Sequence, residues 1–150
     1  MSDPAPRHTA SIFVSDPEWR RRQAARTAAR IPELRLKAEA GDADPQHELG
    51  WAYMSSDIGE AAKWLEAAAE GGRVEAMTLV SSLYEYGRGV PSDTAKAHRW
   101  ARLSLRVLAA DANDDRAAMQ ATLAGLASRL APDQRASAER EAADWKPRTR

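Results

Sequence analysis

An internal repeat is the feature that most constrains the fold of this chain. Residues 49–53 align with residues 80–84 at an offset of 31, and residues 61–64 align with residues 97–100 at an offset of 36. The second unit therefore holds five additional residues, which include the Gly/Pro-rich stretch 87–91. Repeats of this length are stacked supersecondary units, because one unit alone cannot bury its apolar face.

Helical periodicity follows the turn in both units. Small and apolar residues recur there at i, i+3, i+4 and i+7, which gives a helix one apolar face. The first set is Ala61, Trp64, Leu65 and Ala68, and the second is Ala97, Trp100, Ala101 and Ser104. Gly50 and Ser81 stand where the two helices of each unit must approach closely. The predicted fold is all-α: a short right-handed α-solenoid of antiparallel helix hairpins, with about seven helices.

The predicted domain organisation is a mobile tail, residues 1–15, followed by one helical-repeat domain, residues 16–150. The parts of that domain are N-terminal helices (16–41), a first repeat (42–72), a second repeat (73–110) and C-terminal capping helices (111–150). Ser15 or Asp16 can cap a first helix that has Pro17 in its first turn. That helix is expected to stop before Pro32, with a second helix ending at Gly41.

The repeated residues resemble the Sel1-like repeat, a tetratricopeptide-like helical unit that occurs in bacterial proteins. The resemblance covers roughly residues 33–110 and is most specific in the second unit. The matches there are Ala76, Tyr84, Gly87, Gly89, Val90, Asp93, Lys96, Ala97 and Trp100. The first unit matches at Leu49, Gly50, Tyr53, Ala61, Trp64, Ala67, Ala68 and Gly71, but it lacks the glycine loop. By this resemblance the consensus residues are structural, chiefly Leu49, Gly50, Tyr53, Trp64, Tyr84, Gly87, Gly89 and Trp100.

The resemblance also implies a function, because such repeats bind partners through positions that the consensus leaves free. These positions lie on the first helix of each unit, which lines the concave face. Carried onto this sequence they are His47, Trp51, Met54, Ser55, Thr78, Ser82, Glu85 and Tyr86. The implied protein is a scaffold or adaptor for a protein or peptide, and an inhibitor or immunity-type role is one form of it. Packing of Trp51 on a neighbouring helix stays an equal alternative to partner binding.

Charge is balanced overall but uneven along the chain. The 22 basic and 22 acidic residues cancel, so no global field attracts nucleic acid or membranes. Residues 1–37 carry +4, whereas residues 38–72 carry −7. The candidate electrostatic contacts are a basic stripe of Arg22, Arg26 and Arg30 with the acidic Asp44 and Glu48. The stripe needs a counter-charge, either the protein's own acidic repeat or an outside ligand.

The alternative function is a nucleic-acid-binding accessory protein that uses the arginine-rich first helix, although the zero net charge opposes it. Catalysis, cofactors and metals are not expected. The chain has no cysteine, and its three histidines show no metal-ligand spacing. The loop 87–89 follows a helix and lacks the lysine of a phosphate loop. Without a signal-peptide pattern or a long apolar run, a cytoplasmic location is expected.

The predicted tail holds one apolar segment, Ile12, Phe13 and Val14. Three consecutive large apolar side chains are expected to dock on a helical surface, either in the same chain or in a neighbouring copy. A homodimer is therefore left open.

Overall fold

The computed structural model describes residues 16–109 and 111–148. Within these ranges it contains seven α-helices and no strand, which confirms the all-α solenoid. The helices are α1 (Pro17–Glu39), α2 (Ala43–Tyr53), α3 (Ile58–Glu70), α4 (Val74–Tyr86), α5 (Thr94–Val107), α6 (Asn113–Ser128) and α7 (Pro132–Asp144). The docking predicted for Ile12–Val14 lies outside the described residues.

Helices that follow one another along the chain pack together from α1 to α5, and α6 and α7 both pack against α5. The pair α2 and α3 forms the first repeat, and the pair α4 and α5 forms the second. The second repeat therefore has a neighbour on each side, whereas the first repeat is covered at its outer side by α1 alone.

Aspartates begin both second helices of the repeats. The Asp57 carboxylate accepts a hydrogen bond from the backbone N–H of Glu60 at 3.1 Å, and Asp93 accepts one from Lys96 at 3.0 Å. A side-chain cap of this kind contributes about 0.5–2 kcal/mol. Asp16 caps α1 in the same way, as predicted, with Pro17 in the first turn.

The first helix does not stop before Pro32; the expected break is wrong, because α1 runs unbroken from Pro17 to Glu39. Proline removes one backbone hydrogen bond, here to the carbonyl of Ala28. Pro32 and Ala28 are both exposed, so water can satisfy that carbonyl. Ile31 and Leu34 lie on either side of the proline and pack on the same apolar cluster, which holds both halves in line.

The glycine loop of the second repeat packs against the first repeat. Gly87 ends α4 in the left-handed conformation, with φ of 63°. Gly89 also has a positive φ, 74°, and a Cβ atom there would clash with the carbonyl of Ile58. Both Gly87 and Gly89 are therefore needed for their backbone conformation, and Gly89 is also needed because the backbone of Ile58 lies so close to it.

Apolar side chains form two clusters of different size. The larger cluster runs from α3 to α7 and includes Leu65, Met77, Trp100, Leu103 and Leu126, all of them fully buried. The smaller cluster joins α1 to the first repeat and consists of Leu34, Ala38, Leu49 and Trp64.

The residues after α7 return to the end of α3. Arg106 donates hydrogen bonds to the carbonyl oxygens of Ala142 (2.8 Å) and Trp145 (2.9 Å). The Trp145 indole donates to the Glu70 carboxylate at 2.9 Å, and the Arg148 backbone N–H donates to the Glu70 carbonyl at 2.7 Å. This segment therefore connects α5 of the second repeat with the end of α3 in the first repeat.

Candidate functional site

A groove lies between the first helices of the two repeats and α6. It has a volume of about 430 Å³, which is within the range of ligand pockets. We call it the Trp51 groove; its lining residues are Trp51, Val74, Glu75, Thr78, Leu79, Leu108, Asp115, Ala118, Met119 and Thr122. Most of the described lining is apolar; two of these described residues are carboxylic acids, and none of them is basic.

Trp51 is a half-exposed aromatic side chain, with 52% of its surface accessible. It also lines two smaller cavities between α1 and α2, so it stands on the ridge between these cavities and the Trp51 groove. Both interpretations of Trp51 are therefore compatible with the structure. Part of its side chain lies against neighbouring helices, and the other half is accessible to a partner.

His47 fixes the orientation of Trp51 from one helical turn away. The Trp51 indole N–H donates a hydrogen bond to His47 Nε2 at 3.0 Å, and the two rings meet edge to face with centroids 6.3 Å apart. Burial and the neighbouring charge of Arg73 lower the pKa of His47 below its ordinary value. The neutral imidazole keeps Nε2 free to accept, so the indole is held in one position.

Two of the predicted partner-binding residues, Trp51 and Thr78, line the groove together. The Thr78 hydroxyl is also 2.9 Å from the hydroxyl of Ser104, a contact that ties α4 to α5. Met54 is half-buried and packs against the larger apolar cluster. Ser55 faces the cavity on the α1 side, next to Trp51.

The remaining predicted residues, Ser82, Glu85 and Tyr86, lie toward the C-terminal end of α4 and are not among those that line the groove. Tyr86 is 68% exposed. Glu85 lies 3.4 Å from Arg129, the residue that directly follows α6, and the ion pair joins α4 to the end of that helix.

Sequence reasoning missed the third wall of the groove, which α6 supplies through Asp115, Ala118, Met119 and Thr122. The sequence assigns residues 111–150 to capping only, because the repeat consensus fades after Trp100. The helical spacing of Asp115, Met119 and Thr122 is the only signal that places them on one face.

The acidic first repeat supplies a partner for one end of the predicted basic stripe. Arg30 lies 2.8 Å from Glu48, and both side chains are largely exposed. Such pairs contribute at most about 1 kcal/mol. Arg22 lies 4.0 Å from Glu18 on its own helix. Arg26, the third member of the stripe, is exposed on the same helix.

Asp44, the other predicted electrostatic contact, binds Arg73 at 2.7 Å. Arg73 also lies 3.0 Å from Glu75 at the edge of the Trp51 groove. The Arg73 guanidinium therefore forms ion pairs with two carboxylates, those of Asp44 and Glu75, at the start of α4.

A sequence profile of the Sel1 repeat matches residues 46–72 and 74–106. These two matches coincide with the hairpins α2–α3 and α4–α5. The chain contains two Sel1 repeats. A search of curated protein sequences finds no significant match.

One solved structure similar to this chain is a protective antigen present in uropathogenic Escherichia coli strains, which displays an SLR fold. The two share 23% sequence identity with a TM-score of 0.64, and the match covers 91% of this chain. The chain spans only 31% of the length of that antigen, and the likeness concerns the fold alone.

Sel1 repeats are generally protein–protein interaction modules and typically non-catalytic scaffolds. No helix in the described part of this chain is long and apolar enough to cross a membrane. A search of the same residues for three or more His, Asp or Glu side chains placed to hold a metal ion finds none.

Proposed function

We propose that this protein is an interaction scaffold or adaptor that binds a segment of a partner protein in the Trp51 groove. The observation that carries the proposal is the half-exposed Trp51, held by His47 on the wall of an apolar groove. Tryptophan is enriched among the residues that dominate binding energy at interfaces. An inhibitor or immunity-type role would use the same groove, and the bacterial origin and cytoplasmic location remain predictions.

The energetic argument is that a rigid aromatic side chain has little conformational freedom left to lose on binding. Covering the free half of the indole would contribute about 2–3 kcal/mol, from the area of an aromatic side chain and the usual value per unit area. The nucleic-acid alternative receives no comparable support in the described part of the chain, where the basic stripe lies beside the acidic first repeat and Arg30 pairs with Glu48.

The proposal is tested with two variants of matched type. Trp51→Ala removes the exposed aromatic of the groove, whereas Leu36→Ala removes a side chain that is 71% exposed on α1 and does not line the groove. Proteins from the source organism that are retained by the wild type and by Leu36→Ala, but not by Trp51→Ala, are candidate partners.

Each candidate is then purified and titrated calorimetrically. We expect Trp51→Ala to weaken binding about thirtyfold or more, which corresponds to about 2 kcal/mol, while the far-UV circular dichroism of the variant stays that of the wild type. Partners that bind both variants equally would place the interaction surface elsewhere.

A further inference from the structure

We propose that the partner segment presents a lysine or arginine side chain beside apolar residues, and that Glu75 and Asp115 receive this cation. This inference rests on the proposed function, since it names the chemistry of the segment that the Trp51 groove binds. The groove is an apolar surface, and among the residues that the structure describes these two carboxylates are its only charged lining groups. Charge complementarity therefore selects the occupant.

The negative charge of the groove is only partly offset by the described residues around it. The Arg116 guanidinium lies near the groove, where it donates to the carbonyl oxygens of Leu105 and Leu108, but it forms no ion pair with a groove carboxylate. Glu75 shares Arg73 with Asp44, so one positive charge faces two negative ones. Asp115 is exposed and forms no ion pair within the described part of the chain. Both groove carboxylates lie in the first turn of a helix, Glu75 in α4 and Asp115 in α6. They face the same space from two walls.

The apolar lining suits the rest of a basic side chain. Lysine and arginine bury their methylene stems against apolar surface while the charged head stays near water or a counter-ion. Leu79, Leu108 and Met119 offer that surface. The half-exposed ring of Trp51 adds a face on which a guanidinium or ammonium group is attracted to the aromatic electrons. An acidic segment or a phosphate backbone would meet like charge in the same place.

A second copy of this chain is the competing occupant, because α1 carries the basic stripe and is much longer than its neighbour. Its 23 residues span about 34 Å, against about 16 Å for the 11 residues of α2. Self-association is therefore measured alongside the binding experiment.

The test uses a displayed library of short random peptides, selected on the immobilised wild-type protein. Selected peptides are synthesised and titrated against the wild type, Trp51→Ala, the double variant Glu75→Gln/Asp115→Asn and the double variant Asp111→Asn/Asp114→Asn. The last pair is the matched control, because it removes two exposed carboxylates near the start of α6 that do not line the groove.

We expect the selected peptides to be enriched in lysine or arginine next to an aromatic or aliphatic residue. Their binding should be lost in Trp51→Ala and weakened about tenfold in Glu75→Gln/Asp115→Asn, or about 1.4 kcal/mol. The control double variant should bind within about threefold of the wild type, because exposed charges outside the groove are screened.

Other outcomes overturn one or both proposals. Peptides that need Trp51 but are not basic, or that bind the Glu75→Gln/Asp115→Asn variant as tightly as the wild type, would refute the cation preference and leave the groove as the binding site. Peptides that bind Trp51→Ala as tightly as the wild type would also refute the groove as the binding site. A selection that recovers no peptide would refute it too. Light scattering that shows a dimer of the wild type and a monomer of Trp51→Ala would identify a second copy as the occupant instead.

Discussion

The first repeat (α2 and α3) and the second repeat (α4 and α5) place the same aromatic residues in different surroundings. Trp100 has no accessible surface and lies in the larger apolar cluster, whereas its counterpart Trp64 is 6% exposed and lies in the smaller one. Tyr84 is buried and donates a hydrogen bond to Glu66, and burial with this carboxylate raises its pKa to about 12. Tyr53, at the equivalent position, is only half-buried.

The cause of the difference is the position of each repeat in the stack. The second repeat is covered on one side by α3 and on the other by α6 and α7. The returning segment at Trp145 joins α5 to the end of α3. The first repeat has α1 on its outer side, and only Leu34 and Ala38 of α1 are buried there. The neighbouring helices therefore determine how much a consensus residue contributes to stability. Trp51, which is exposed and accessible to a partner, belongs to the less covered repeat.

The largest expected effect is that of Trp100→Ala. Removal of a buried tryptophan costs about 3–5 kcal/mol, and Trp100 should lie at the upper end because its cavity is enclosed on all sides. Trp64→Ala should lie at the lower end, because the cavity opens toward α1 and the surface. Both are measured as free energies of unfolding in urea.

The ratio of these two losses is the informative quantity. Equal losses would mean that α1 covers the first repeat as completely as α6 and α7 cover the second. A larger loss for Trp64→Ala would reverse the comparison.

An intermediate effect is expected for Gly50→Ser, which gives the first repeat the residue that the second repeat has at Ser81. A Cβ atom at Gly50 would lie 2.6 Å from Leu65 Cγ, so the buried Leu65 side chain or the helix that carries it must shift, at a cost of about 1–3 kcal/mol. In the second repeat the Ser81 hydroxyl fits and donates to the Ala97 carbonyl at 2.9 Å.

Gly125→Ser is the matched control for that substitution. Gly125 is also a helical glycine, in α6, and a Cβ atom there would meet nothing within 4 Å. Its thermal stability should stay at or slightly above that of the wild type, since glycine is a poor helix former. If Gly50→Ser has the same melting temperature as Gly125→Ser, the two repeats have the same spacing between their helices.

The smallest expected effect is a pH dependence that differs between the repeats. Burial and the positive charge of Arg102 lower the pKa of His98 below the ordinary value of 6.5, and burial and Arg73 lower that of His47. A lowered pKa means that the unfolded chain takes up the proton first. The stability is therefore complete above pH 6.5 and is lost as the pH falls below it.

His98 is 1% exposed, whereas His47 is half-buried, so the second repeat should contribute more of this loss. The measurement is the fall in melting temperature from about one unit above pH 6.5 to about one unit below, compared among the wild type, His98→Gln and His47→Gln. We expect the fall to shrink most in His98→Gln. An unchanged fall in that variant would assign the acid sensitivity to other groups.

The sequence predicted the parts of the fold that depend on local signals. Repeat spacing located the two hairpins, and the capping signal at Asp16 located the start of α1. It failed at Pro32, because whether a proline ends a helix depends on what the helix packs against. The pairing of Trp145 with Glu70 joins residues 75 positions apart and leaves no periodic pattern to read.

The candidate site was predictable only where the repeat consensus reaches. Trp51 and Thr78 follow from the register of the first helices, and the structure lines the groove with both. Met54 follows from the same register but turns toward the core at the end of α2. Asp115 and the rest of the α6 wall depend on how the closing helices stack on α5, which no local signal specifies.

The most direct test of partner binding in the Trp51 groove is a titration followed by NMR of the five tryptophan indole N–H groups, with a selected peptide as the ligand. Our account predicts that the Trp51 resonance shifts progressively while those of the buried Trp64 and Trp100 stay in place. A Trp51 resonance that does not move while calorimetry shows saturable binding would contradict it.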